Sequence, residues 1–284
     1  MADRKHIVIV GAGFGGVSLA QELAKKDVRI TLVDQHNYHL FQPLLYQVST
    51  AVLSPSEIAY PTRAFFRKNK NVEFFLAKAR GADQERRVLK TDHGEISYDY
   101  LVLAAGGTTN FFGNESVERS SFAMKTLQEA IEVRNHIVHE FERAAKMTDP
   151  SMADERRRHL NFVIVGGGAT GIEMAGAMME LISIFKEEYH NIDFSEVSVS
   201  LLEAMGSVLP MVPPDLQQYT IKALRKRGVN VCLNTAVTGY DGSNLVLQSG
   251  EIIPTRTVIW AAGVRAQDFI KDCGGEVDRA GRVI

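Results

Sequence analysis

The stretch HIVIVGAGFGG, residues 6–16, returns as NFVIVGGGATGIE, residues 161–173. Each is a short apolar run followed by glycines at the first, third and sixth positions: Gly11, Gly13, Gly16 and Gly166, Gly168, Gly171. Their surroundings repeat as well. Residues 5–10 read as a buried strand, about 15–26 as a helix, and VRITLV, residues 28–33, as a second strand ending at Asp34. In the second half residues 161–165, about 170–190 and 197–202 follow the same order and end at Glu203. Each half then reaches a strand with a small-residue end, YLVLAAGG at 100–107 and TVIWAAGV at 257–264. Gly11 to Gly106 spans 95 residues, and Gly166 to Gly263 spans 97. Strand, glycine turn, helix, strand and acid, met twice at one spacing, describe a duplicated βαβ unit.

The chemistry of such a turn is specific. The first glycine permits a tight turn, the second lets backbone amides approach a pyrophosphate, and the third lets the helix pack against its strand. The helix N-terminus then faces the phosphates with its partial positive charge. A glycine-rich turn with no ligand is the alternative, and the acids argue against it. Asp34 lies 21 residues after Gly13, where a ribose-binding carboxylate belongs. Glu203 lies 35 after Gly168, with a longer helix between. A carboxylate there accepts ribose hydroxyls and repels a 2′-phosphate, and the following Ala204, Met205 and Gly206 offer no arginine, so the second site favours NADH over NADPH. An exposed strand-end acid is the competing view of Glu203. The expected fold class is α/β, with two Rossmann-like FAD/NAD(P)-binding domains built of parallel sheets and antiparallel ribbons. Two dinucleotide sites in one chain suit electron relay, with the protein supplying orientation and the cofactors the redox chemistry.

An antiparallel ribbon is expected over residues 72–98, and a helix over 126–147 with Thr126 as N-cap. Asp149-Pro150-Ser151 breaks that helix. The expected division is 1–115 for the first nucleotide domain, 116–158 for a linker helix region, 159–265 for the second domain and 266–284 for the start of a return to the first.

Composition narrows the partners. The net charge of −2 gives no field for nucleic acid, and the run Glu155-Arg156-Arg157-Arg158-His159 reads as a solvated face or linker. The two cysteines, Cys232 and Cys273, form no CxxC or CxxxxC pair and suit a reducing cytosol. His36 and His39 lack a third ligand, so no metal is expected and both are read as structural or cofactor-adjacent. The longest apolar stretch, 162–185, holds five glycines plus Glu173 and Glu180 and is read as strand, turn and helix rather than a membrane span. Trp260, Met174, Met178 and Met179 are expected in the core. Lys125 is placed either beside the cofactor groove or on the surface.

HNYHLFQPLLYQVSTAVLSPSEIAYPTR at 36–63, GGGATGIEMAGAM at 166–178 and VIWAAGV at 258–264 closely resemble type II NADH dehydrogenases, the single-subunit, non-proton-pumping NADH:quinone oxidoreductases. The resemblance covers essentially the whole chain, and Phe41 to Leu45 is its most family-specific part. It implies an enzyme in which the first turn and Asp34 bind FAD, with Pro43 and Leu44 close to the isoalloxazine and Gln47 toward the quinone. It implies NADH at the second turn and Glu203, with Ala105-Gly106 and Ala262-Gly263 letting backbone approach the cofactors. Glu173, expected in the first turn of the second helix, is implied as the catalytic residue, through nicotinamide placement and proton or quinone handling. The other view of Glu173 is an acid that only complements the helix dipole.

Family members run over a hundred residues further than DRAGRVI, residues 278–284. The expectation is therefore a C-terminally shortened chain without the family's membrane anchor, cytoplasmic or at the cytoplasmic face of the inner membrane, with a homodimer as its oligomeric form. A disulfide reductase lacks its cysteine pair here. A ferredoxin- or rubredoxin-type reductase and a non-catalytic nucleotide-binding fragment are the remaining alternatives.

Overall fold

The computed structural model describes residues 4–283. Residues 1–3 and 284, at the ends of the expected terminal segments, lie outside them. The chain forms two compact units, Met1–Phe41 with Ser56–Thr108 and Val264–Ile284, and Gln42–Pro55 with Thr109–Gly263.

In the first unit His6–Val10 lies between Arg29–Asp34 and Tyr100–Leu103, parallel to both, and Val72–Leu76 extends the sheet beyond Arg29–Asp34. The helix Phe14–Leu23 follows the first strand. Ile7, Ile9, Val17, Ala20, Ile30, Leu32 and Phe74 form the core on one side of the sheet, and Val8, Val10, Val33 and Leu89 on the other. Burial on both faces explains why these strands read as unbroken apolar runs rather than alternating ones. Three antiparallel strands, Ala79–Asp83, Val88–Thr91 and Gly94–Ser97, make the ribbon. The ribbon thus starts later than the sequence suggests. Val72–Leu76 pairs in parallel with Arg29–Asp34, because its Phe74 is needed inside the main sheet's core.

The second unit repeats the plan. Its parallel sheet runs Asn230–Cys232, Ser198–Leu202, Asn161–Val165, Thr257–Trp260, and its ribbon is Val237–Tyr240, Asn244–Leu247, Ile252–Pro254. The helix Ala169–Glu188 crosses one face. Leu127–Lys146 lies in this unit rather than in a linker, since Val133, Ile137, Phe141 and Ala144 are buried among Leu160, Phe162 and Phe185. Its N-terminus is a capping box: Thr126 Oγ1 accepts from the Glu129 N–H at 3.2 Å, and Glu129 Oε2 accepts from the Thr126 N–H at 2.9 Å.

The charged run at 155–159 is not a solvated face. It belongs to the helix Ala153–His159, where Arg156 makes a two-pronged pair with Glu196 at 2.6 and 2.8 Å. His159 is buried, 2.5 Å from Oε2 of the fully buried Glu140, and Arg143 Nη1 donates to Oε1 of the same carboxylate at 2.8 Å. A buried charge persists only when paired, and this acid receives three nitrogens, His136 being the outermost at 3.9 Å.

Candidate functional site

The first glycine turn is held by its neighbours on all sides. Gly11 has φ +106°, a left-handed conformation natural only to glycine, and a Cβ there would strike the Ala104 carbonyl and come within 2.9 Å of Ala105 Cα. A Cβ at Gly16 would overlap the Gly11 carbonyl oxygen, so the helix can lie this close only without a side chain. Gly13 differs, since nothing lies within 4 Å of where its Cβ would be. The first and third glycines are required by the protein, while the second faces open space.

Asp34 closes the turn. Its Oδ2 accepts from the Ala12 N–H at 2.6 Å and its Oδ1 from the His36 N–H at 2.8 Å. Each carboxylate oxygen still has lone-pair capacity for a ligand hydroxyl. Asp34, Gly11 and Ala105 line a cavity with Val10, Val33 and Lys78. Gly106 has φ +64° and open surroundings.

The second turn has the same geometry. Gly166 has φ +115°, and a Cβ would meet Ala261 and Ala262 backbone atoms at 2.7 Å. Gly171 is pressed against the Gly166 carbonyl, and Gly168 again faces open space. Glu203 Oε2 accepts from the Gly167 N–H at 2.6 Å and Oε1 from the Met205 N–H at 2.8 Å. Neither helix has a side chain capping its N-terminus, so the first-turn amides are unoccupied by protein side-chain acceptors. At Gly263 the glycine serves packing within the protein, because a Cβ would sit 2.6 Å from the Phe112 ring.

A third feature lies wholly in the second unit. Residues 42–55 supply the short helices Gln42–Leu44 and Leu45–Ser49, which carry Pro43, Leu44 and Gln47. Leu45 and Val48 are buried, and Ser49 Oγ donates to Met174 Sδ at 3.2 Å. Gln47 Nε2 donates to the Tyr46 hydroxyl at 3.1 Å, and Gln42 Nε2 donates to the Lys125 carbonyl at 3.0 Å. Tyr46 and Gln47 line a cavity of about 500 Å³ together with Ile172, Glu173, Glu180 and Tyr219. Glu173 is the fifth residue of its helix, past the first turn, which contains no acid. The dipole-complement view of it therefore loses its footing. Burial raises the Glu173 pKa above the ordinary glutamate value. Lys125 is partly buried beside Glu129, and burial lowers its pKa.

Sequence reasoning gave His39 a structural or cofactor-adjacent place but not its partner: its Nδ1 lies 2.9 Å from the Ala12 carbonyl oxygen in the first turn. It also missed Leu209, whose N–H donates to the Gly167 carbonyl at 2.9 Å in the second. Neither bond has a local sequence signal. Trp260, Met174 and Met178 are buried, as expected of core residues, and Trp260 Nε1 donates to the Asn110 carbonyl at 2.9 Å. Cys232 and Cys273 are free thiols in different units, and burial pushes Cys273 up to about 11, away from thiolate chemistry. Among the described residues there is no His/Cys/Asp/Glu group able to hold a metal, and no helix is long and apolar enough to cross a membrane.

Two acid-closed glycine turns, each at the end of a parallel strand and the start of a helix, define a chain with two dinucleotide-binding folds. The model of the pyridine nucleotide-disulphide oxidoreductase family matches residues 5–284. Type II NADH:quinone oxidoreductase NdhA of Mycobacterium tuberculosis is 39% identical over all of this chain, which spans 63% of that protein's length. The type II NADH:quinone oxidoreductase of Haemophilus influenzae is 30% identical over 99% of this chain and 69% of its own length. The chain belongs to the pyridine nucleotide-disulphide oxidoreductase family and, within it, to the type II NADH:quinone oxidoreductases. The structure of NDH2 from Plasmodium falciparum in complex with NADH shares the fold, with a TM-score of 0.88 at 24% identity over 95% of this chain and 57% of that one.

Proposed function

We propose that the first glycine turn holds FAD, that the second holds NADH, and that the chain serves NADH:quinone oxidation without proton pumping. The observation that carries this reading is the doubled turn. In both units a carboxylate binds the amide after the first glycine while the second glycine faces open space. Bound flavin would supply the two-electron chemistry between a nicotinamide and a quinone.

The chain's own residues do the rest. Gly13 and Gly168 leave room for a pyrophosphate, and the uncapped helix amides face it. Asp34 and Glu203 present their remaining lone pairs to ribose hydroxyls, and Glu203 repels a 2′-phosphate. Ala105 lines the cavity at Asp34, Ala105 and Ala262 lie past the strand ends against the first glycines, and Gly106 follows with open surroundings. Pro43, Leu44 and Gln47 are assigned to the flavin ring and quinone side. Glu173, in the cavity with Gln47, holds or releases a proton at its carboxyl, whose pKa burial raises above the ordinary glutamate value. Because quinones are lipid-soluble, the reaction takes place at a membrane face, and a homodimer is part of the reading.

Purified protein is expected to be yellow, to bleach with NADH in the absence of oxygen, and to recover its colour on addition of a soluble quinone. Yellow protein that NADH does not bleach overturns the reading. Recovery with a small iron–sulfur protein but not with quinone moves the chain to the ferredoxin-reductase type. A colourless protein that still binds NADH makes it a non-catalytic nucleotide module.

A further inference from the structure

We infer that His39 is a positioning residue of the first turn, doing with a side chain what the backbone of Leu209 does in the second. The Ala12 carbonyl belongs to the peptide group whose N–H is that of Gly13. In a trans peptide the C=O and N–H point in opposite directions, so holding the carbonyl aims the amide. Glycine at position 13 imposes little barrier of its own to a flip of this peptide. A carbonyl only accepts, so the 2.9 Å contact places the His39 proton on Nδ1.

The ring is itself fixed. His39 sits on the strand Tyr38–Leu40, opposite Tyr60 on Ala59–Pro61. Phe14 and Phe65 meet it edge to face, with centroids 5.2 and 5.5 Å away. In the second unit the equivalent carbonyl, that of Gly167, accepts from the Leu209 N–H at 2.9 Å. Leu209 has φ +49°, a conformation disfavoured by about 1–2 kcal/mol for a side-chain-bearing residue. The second unit thus spends backbone strain on the donor that the first obtains from an imidazole. The two second glycines have nearly the same conformation, φ −75° at Gly13 and −77° at Gly168, as two equivalent clamps require.

This inference rests on the assignment of FAD to the first turn, and its test separates the two. Flavin-stripped wild type, His39→Phe, His39→Asn and His39→Gln are titrated with FAD, with melting curves and NADH binding as controls. Phe keeps the ring packing and loses the donor, so FAD binding should weaken at least about tenfold. Asn places an amide N–H where Nδ1 stands and should restore binding to within about threefold, whereas Gln should not. NADH binding should be the same in all four. Wild-type affinity in H39F, or failure of a well-folded H39N to recover, overturns the clamp. If the wild type takes up no FAD, the flavin assignment falls, and the clamp is still decided by ¹⁵N NMR of the neutral ring. A proton on Nδ1, with faster Gly13 amide exchange in H39F, supports it; a proton on Nε2 overturns it.

Discussion

The two glycine turns reach one geometry by different means, and the difference explains why the first reads Gly-Ala-Gly and the second Gly-Gly-Gly. Asp34 is short, and Ala12 fits beside it although only 2% exposed. Glu203 is one methylene longer. A Cβ at Gly167 would stand 2.9 Å from Glu203 Oε2 and 3.0 Å from Val208 Cγ1, so a side chain there crowds the longer acid and Val208, where the shorter acid has alanine beside it. Acid length and the middle residue of the turn are therefore a matched pair. The helices differ too, 10 residues from Phe14 to Leu23 against 20 from Ala169 to Glu188, and the longer one brings Glu173 and Glu180 to a cavity.

The largest effects are expected at the third glycines. Gly16→Ala and Gly171→Ala each drive a methyl into a backbone carbonyl, at a cost at or above the roughly 1–3 kcal/mol of ordinary overpacking. The first should abolish FAD binding and the second NADH binding, each sparing the other ligand in calorimetric titrations. If both variants lose both nucleotides, the units are not independent sites.

The matched pair itself comes next. Gly167→Ala should destabilise the second unit by about 1–3 kcal/mol in urea unfolding. Adding Glu203→Asp should recover part of that, with a coupling energy above about 0.5 kcal/mol. Strict additivity in the double mutant would remove the acid-length explanation.

A smaller effect is expected at ribose recognition. Glu203→Gln keeps an acceptor but drops the charge that repels a 2′-phosphate, so the preference for NADH over NADPH should shrink by about tenfold, near 1.4 kcal/mol. An unchanged ratio of dissociation constants would return Glu203 to a purely structural role.

The smallest effect concerns acid stability. The Arg156 hydrogen bonds hold the Glu196 carboxyl below its ordinary value, so the unfolded chain binds that proton first as pH drops. The pair's contribution is present above the unfolded glutamate pKa and is lost as pH falls through the folded one. Arg156→Ala should lower stability by about 1 kcal/mol at neutral pH, and by less in acid. Melting curves from neutral to acid pH, compared with wild type, check this; a difference that does not narrow in acid argues for packing rather than charge.

Most of the scaffold was legible from local pattern. The strand His6–Val10, the helix after each turn and the Thr126 cap are written in runs of apolar residues and in short-range capping chemistry. Glycine positions were legible because a left-handed φ at Gly11 and Gly166 excludes other residues. What stayed hidden were bonds between distant residues. Glu140 read as one position of a helix and His159 as part of a solvated run or linker, with nothing to pair them, and the loop around Pro43 looked like part of the first domain until burial of Leu45 and Val48 placed it in the second unit.

The amino-acid order alone determined that there are two βαβ folds, where each turn lies and which acid ends each second strand, because periodicity, glycine conformation and strand-end spacing act over a few residues. Tertiary structure decided which group steadies each turn, His39 in one and the Leu209 amide in the other, and which residues share the cavity at Glu173. Those outcomes depend on side chains and peptide groups that meet only after the strands and helices have packed, and no short window of sequence contains both partners.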